Sequence, residues 1–191
     1  MTLCFATNNA NKLAEISAML GDQFDLKTLQ DIGCLEEIPE TQDTIPGNSR
    51  QKAAHVWDQY RINCFADDSG LEVDALHGEP GVHSAYYGGH PRSYERNVTR
   101  LLANLDGKSD RSARFRTVIT LVLDGQYHVF EGVAEGQILT EPRGTGGFGY
   151  DPVFQPDGYD RTFAEMSMDE KAHISHRGQA FKKLVTFLKN P

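Results

Sequence analysis

The stretch that most narrows the possible folds runs from Ala113 to Leu123, long, β-branched and aromatic, then through Asp124-Gly125 into Tyr127 to Val133 in the same style. Two such runs across an Asp-Gly pair predict a β-hairpin, because Asp and Gly suit the backbone of a tight turn. Around the hairpin the periodicity changes. Leu3 to Ala6 is a short apolar run, and Leu13, Ile16 and Leu20 recur at spacings of three and four, so strand, loop and helix follow in order. Pro39 to Gly47 reads as a loop from its Pro, Asp and Gly content. Asn48 to Tyr60 then reads as a helix with Ala53, Ala54 and Trp57 inward, and Asn63 to Ala66 as a strand leading into Asp67-Asp68-Ser69-Gly70. Tyr94 to Leu105 has Val98, Leu101, Leu102 and Leu105 at helical spacing behind a Ser93 N-cap. Ser167-Met168-Asp169-Glu170 has the form of a capping box, and Phe181, Leu184, Val185 and Leu188 give the apolar face of a last helix. Strands interleaved with helices make one α/β unit. With no repeat, low-complexity tract or linker, residues 1–191 read as a single domain.

Composition narrows the function classes. A chain of 191 residues can bury a core without disulfides or a structural metal. Its 19 Lys+Arg against 27 Asp+Glu give a net charge of −8, which disfavours a broad nucleic-acid surface, since that needs a basic stripe to displace phosphate counterions. Cys4, Cys34 and Cys64 are odd in number and far apart, so their spacing suggests neither a disulfide framework nor a zinc site. The N-terminus carries no secretory pattern, and the strongest apolar stretch, Val118 to Leu123, is far shorter than a membrane span. A cytoplasmic protein with no membrane partner is the expectation.

Some motifs fail on context. Gly144-Thr145-Gly146-Gly147-Phe148-Gly149 satisfies the dinucleotide fingerprint, yet Asp151-Pro152 follows where a helix would have to open to hold pyrophosphate. Gly107-Lys108-Ser109 resembles the end of a phosphate loop, but Leu102 stands where that motif needs its first glycine. His173 and His176 could share a helix face, and without a third ligand they make no zinc site.

Others carry chemistry. Thr7-Asn8-Asn9-Ala10-Asn11-Lys12 lies between the first strand and first helix, where backbone N–H groups and a lysine can cradle phosphate; an Asn-rich surface turn is the plain alternative. Asp67-Asp68-Ser69-Gly70 follows a strand, and adjacent carboxylates there alternate in direction. Carboxylate oxygens suit Mg²⁺, which binds a few of them together with substrate phosphates; the alternative is a turn closed by local hydrogen bonds. Lys171, His176 and Arg177 form a second basic cluster, and Phe148 places an aromatic in a glycine-rich loop, where a ring can stack on a base.

These motifs together resemble the inosine triphosphate pyrophosphatases. The likeness runs through Thr7-x-Asn9-x-x-Lys12, Pro39-Glu40-Thr41, Ala66-Asp67-Asp68-Ser69-Gly70-Leu71 and Pro80-Gly81-Val82. It continues through Glu141-Pro142-Arg143-Gly144, Gly147-Phe148-Gly149-Tyr150-Asp151-Pro152, Glu170-Lys171 and Ser175-His176-Arg177-Gly178. It implies a mixed α/β sheet, two lobes around a central substrate groove, a homodimer, and Mg²⁺-dependent cleavage of noncanonical purine triphosphates (ITP, dITP, XTP) to monophosphate and pyrophosphate. It further implies that Asp68 is the catalytic carboxylate and, with Glu40, a metal contact. Thr7, Asn8, Asn9, Ala10, Asn11, Lys12, Lys52 and Ser69 would then meet the triphosphate, Phe148 would stack on the base, Gly149, Tyr150 and Asp151 would line its pocket, and Lys171, His176 and Arg177 would close over phosphate and purine. A pyrophosphatase for other modified nucleotides and a non-hydrolytic nucleotide sensor are the alternatives.

Three positions depart from the family pattern. Asn8 stands where Gly is common, and Asn is the next residue to tolerate a left-handed backbone. Tyr86 replaces a frequent Arg, and Gly47 an acidic residue before Asn48.

Overall fold

A computed structural model describes residues 1–9, 12–13, 16–17, 20, 22 and 24–190. Six strands form one sheet in the order β2-β1-β3-β4-β5-β6, where β1 is Thr2–Phe5, β2 Asp25–Lys27, β3 Cys64–Val73, β4 Ser112–Leu123, β5 Gln126–Ile138 and β6 Phe154–Pro156. It is a mixed sheet: β1 pairs parallel with β2 and β3, and β5 pairs antiparallel with β6. The helices are α1 (Ile45–Tyr60), α2 (Tyr94–Asn104), α3 (Met168–Ile174) and α4 (His176–Lys189), and the described residues from Lys12 to Leu20 are also helical.

The hairpin turn forms at Asp124-Gly125, with φ of 49° and 81°. Both values are positive, the condition that selects this dipeptide for a two-residue connection. Helix α2 starts behind Ser93, whose side chain accepts from the Arg96 N–H.

Elsewhere the structure differs from the sequence expectation. Helix α1 begins at Ile45 rather than Asn48, because Thr44 caps it by accepting from the Gly47 N–H and Pro46 sits in the first turn, where its missing N–H costs nothing. Asp67 to Gly70 is no turn but the middle of the ten-residue strand β3. The C-terminal segment is two helices, not one: Ser175 turns extended at φ −68°, ψ 151°, and its hydroxyl accepts from the Gly178 N–H to start α4. Gly178 is required there, since a Cβ would lie 1.9 Å from the Ala172 carbonyl oxygen. His173 and His176 thus fall on different helices and share no face.

Two compact units make up the chain. The first comprises Met1–Asp68, Thr117–Glu131 and Ala180–Pro191. Here the sheet is covered on both faces. Leu3, Phe5, Phe65, Ile119 and Leu121 pack with Ile16, Leu20 and, from α4, Phe181, Leu184 and Leu188. The alternate residues Cys4, Ala6, Cys64, Ala66 and Val122 pack with Ala53 and Val56 of α1. Burial on both faces is why these strands read as continuous apolar runs rather than alternating ones.

The second unit comprises Ser69–Arg116 and Gly132–Gln179. Its core gathers Leu71, Val73, Leu101, Leu105, Phe115, Ile138, Val153, Phe154 and Phe163. Phe115 lies 4.7 Å from Phe154 and 5.9 Å from Phe163 by ring centroid, a cluster that ties β4 to the loop-rich region after β5.

Candidate active site

In the first unit the turn after β1 is built by side chains. Thr7 Oγ1 accepts from the Asn9 N–H, Asn9 Oδ1 accepts from the Lys12 N–H, and the Asn9 carbonyl accepts from the Leu13 N–H. Asn9 is therefore an N-cap, and it fixes where Lys12 leaves the helix start. Ala10 and Asn11 lie outside the described residues. Among the described residues the non-glycines with left-handed backbone are Arg61, His77 and Asp124, so Asn8 does not adopt the left-handed conformation that Asn tolerates.

The strand geometry separates the two aspartates of β3. Asp67 is buried and Asp68 half-buried, as expected of neighbours that point to opposite sides. Asp67 accepts from Lys12 Nζ at 2.6 Å.

Glu40 reaches the same neighbourhood through the N-terminal part of α1. Gln51 accepts from the Thr41 N–H and donates to the Thr41 hydroxyl, and Asn48 accepts from the Gln42 N–H. These bonds hold the loop on the helix, and Lys52 makes an ion pair with Glu40. Burial pulls the Lys52 pKa down, yet the charges of Asp67, Glu40 and Asp68 together outweigh it and leave the ammonium above its ordinary value. The charges of three carboxylates therefore bear on one lysine. Gly47 is explained in the same place: a Cβ there would come within 2.8 Å of both Gln42 Cβ and Thr44 Oγ1, leaving no room for an acidic side chain.

Glu40 and Asp68 offer hard carboxylate oxygens, the chemistry that Mg²⁺ prefers, while Asp67 is taken up by Lys12.

In the second unit Phe148 is exposed at 46% and lies beneath two cations, Lys171 Nζ at 4.8 Å and Arg177 Cζ at 5.6 Å from its ring centroid. An exposed aromatic face flanked by positive charge is a platform for an anionic aromatic ligand. Asp151 holds the arrangement: its Oδ2 accepts from the Phe148 N–H at 2.9 Å and from Lys171 Nζ at 2.5 Å. A side chain at position 147 would collide with this carboxylate, since a Cβ would sit 2.1 Å from Oδ2. The Arg177 Nε is buried with no hydrogen-bond partner among the described residues.

Not every expected contact residue presents its side chain. Tyr150 is buried and its hydroxyl donates to the Ser84 carbonyl at 2.7 Å; burial raises its phenol pKa. Gly149 takes a φ of 63°, a left-handed turn between Phe148 and Tyr150. His176 is buried and stacked on Phe115 at 4.7 Å, and Ser69 is half-buried in β3 just after Asp68. Tyr86 is exposed and stacks on His90 at 4.4 Å.

Sequence reasoning missed several supports. The pairing of Asp67 with Lys12, the anchoring of Tyr150 by Ser84 and Asn97, and the seat of His176 on Phe115 are announced by no motif. A buried Asp beside a candidate catalytic one was the only available signal, through strand alternation.

The sequence model of the Ham1 family matches residues 3–187. The chain belongs to the Ham1 family. Among its Ham1 relatives, a dITP/XTP pyrophosphatase of Flavobacterium psychrophilum is 51% identical over 190 residues, covering 100% of both chains. One of the same name from Porphyromonas gingivalis is 51% identical over 97% of this chain and 96% of its own. A solved Ham1 protein from Coxiella burnetii superposes with a TM-score of 0.96 at 38% identity over the full length of both chains. The Staphylococcus aureus Ham1 protein gives 0.94 at 35% identity, covering 99% of this chain and 98% of its own.

Proposed function

We propose that this protein hydrolyses noncanonical purine nucleoside triphosphates, ITP, dITP and XTP, to the monophosphate and pyrophosphate, with Mg²⁺ as cofactor, and that it works as a cytoplasmic homodimer. The observation that carries the reading is the pair of lysines held on carboxylates beside Asp68, Lys52 on Glu40 and Lys12 on Asp67. A triphosphate brings several negative charges to a protein of net charge −8, so it needs this local concentration of lysine. The name carried by relatives at about half identity supports the substrate class.

Glu40 and Asp68 would hold the metal, which when bound supplies charge neutralisation on the phosphate oxygens. Asp68 takes the proton of the water that attacks the α-phosphorus, and the bond to the leaving pyrophosphate breaks in line with that attack. Lys12 and Lys52 offset the charge that develops on the pyrophosphate. Phe148 stacks on the purine, which orients it without choosing among purines, since every base has an aromatic face. Arg177 donates to the 6-oxo group, and the 6-amino group of adenine would set a donor against that donor. Its Nε is buried and has no hydrogen-bond partner among the described residues.

Steady-state kcat/KM for ITP, XTP, dITP, GTP and ATP, measured by pyrophosphate release with and without Mg²⁺, tests the proposal. ITP and XTP should exceed ATP by a ratio that can reach about 10⁴ where hydrogen bonding decides, against about 10² for size alone. A preference for ATP or GTP overturns the pocket reading, and turnover undiminished without a divalent cation overturns the metal assignment.

A further inference from the structure

Outside the proposed catalytic carboxylates, Cys34, Glu36 and His55 bring three different ligand atoms, a sulfur, a carboxylate oxygen and an imidazole nitrogen, within 4.8 Å of one another. We propose that these three residues bind a zinc ion, with a solvent water as the fourth ligand. The spacing of the cysteines hid this grouping, because the ligands come from separate elements. Cys34 and Glu36 lie in the loop after β2, and His55 lies on α1.

The geometry suits a tetrahedral ion. His55 Nε2 and Glu36 Oε1 are 3.1 Å apart. Two ligands at about 2.0–2.1 Å from a tetrahedral zinc lie roughly 3.3 Å from each other, so this pair already spans one edge of the polyhedron. The softer sulfur and the imidazole favour zinc over Mg²⁺, which prefers oxygen alone. Cys34 is buried, the His55 side chain is 19% exposed and that of Glu36 60%, so the open corner faces water and the ion has a way in. Cys34 binds as thiolate, and its proton passes to the solvent when the sulfur–zinc bond forms. Tyr60, at the end of α1, packs against the same apolar cluster that buries Cys34.

Such an ion has a structural consequence for its surroundings. His55 is three residues beyond Lys52 on α1, and Glu36 is four residues before Glu40, so the metal would fasten the loop that carries Glu40 to the helix that carries Lys52. It would be a positioning element, apart from the Mg²⁺ carboxylates.

The test is titration of the chelator-stripped protein with Co²⁺ as a spectroscopic substitute, followed by displacement with Zn²⁺. The expected result is one equivalent bound, with thiolate-to-cobalt charge-transfer absorption that Zn²⁺ abolishes and that persists in Asp68→Asn. Cys34→Ser should lose the absorption, and His55→Ala should weaken binding by more than tenfold. The melting temperature should rise with added Zn²⁺ in the wild type and stay still in His55→Ala. Absence of binding, or cobalt bound without thiolate absorption, overturns the proposal. Should Cys34→Ser not fold, the absorption of the wild type and the weaker cobalt binding of His55→Ala still decide.

Discussion

Three lysines assigned to the triphosphate each rest on a carboxylate in the free protein: Lys12 on Asp67, Lys52 on Glu40 and Lys171 on Asp151. Each pair keeps a cation in place before substrate arrives, and each anion competes with phosphate for it. Asp68 carries the proposed proton transfer, so Asp68→Asn, nearly isosteric but unable to act as base or anionic ligand, should lower kcat by about 10²–10⁴ with the fold retained. Activity within about threefold of wild type, measured as ITP turnover beside a far-UV spectrum, would reject the assignment. Lys12→Ala and Lys171→Ala each remove the lysine partner of a buried aspartate and will cost stability as well. The informative quantity is therefore a ratio. Both variants should weaken triphosphate far more than monophosphate in a calorimetric titration, because the two ligands meet the same fold and differ only in the phosphates the lysine serves. Equal weakening would place these lysines elsewhere.

At the scale of elements, the short helix α3 depends on its cap. Ser167 accepts from the Glu170 N–H, and Glu170 accepts from the Ser167 N–H while holding Arg161 at 2.9 Å. The Arg161 guanidinium first, and the Ser167 N–H second, lower the Glu170 carboxyl from 4.5 to about 2. A pKa lower in the folded state means stability that is fully present above about 4.5 and lost as pH falls towards 2. Glu170→Gln should flatten the acid limb of the stability curve in that window. A urea-midpoint series against pH checks it, and an unchanged acid limb would show that the pair is solvated. Lys171 leaves this same helix, so the cap also steadies the cation above Phe148.

At the scale of the whole molecule, each unit owns its apolar core. In the first, Phe181 of α4 is fully buried and meets Phe5 of β1 edge-on at 5.9 Å, while Phe5 stacks on Phe65 at 4.4 Å. Truncation to Phe181→Ala removes a ring that two strands pack against, and should cost about 3–5 kcal/mol in denaturant unfolding. A cost under about 1 kcal/mol would mean that the site collapses around the loss. Among the described residues no helix is long and apolar enough to cross a membrane.

Amino-acid sequence alone determined what depends on neighbours along the chain. Asp124-Gly125 could close a hairpin, Ser93 and Ser167 could cap helices, and the three-and-four spacing of Leu13, Ile16 and Leu20 could only suit a helix, because φ preferences, caps and periodicity act within a few residues. The motif residues of the site were legible through resemblance. Tertiary structure decided the rest. Asp67 and Asp68 became mid-strand residues because β3 runs on as the neighbour of β4 in the sheet, and pairing overrode the turn preference of Asp-Asp-Ser-Gly. Lys12 found Asp67 across 55 residues, and Cys34 and Glu36 found His55 on another element. Such partnerships are set by which side chains are buried together, and burial is a property of the packed chain.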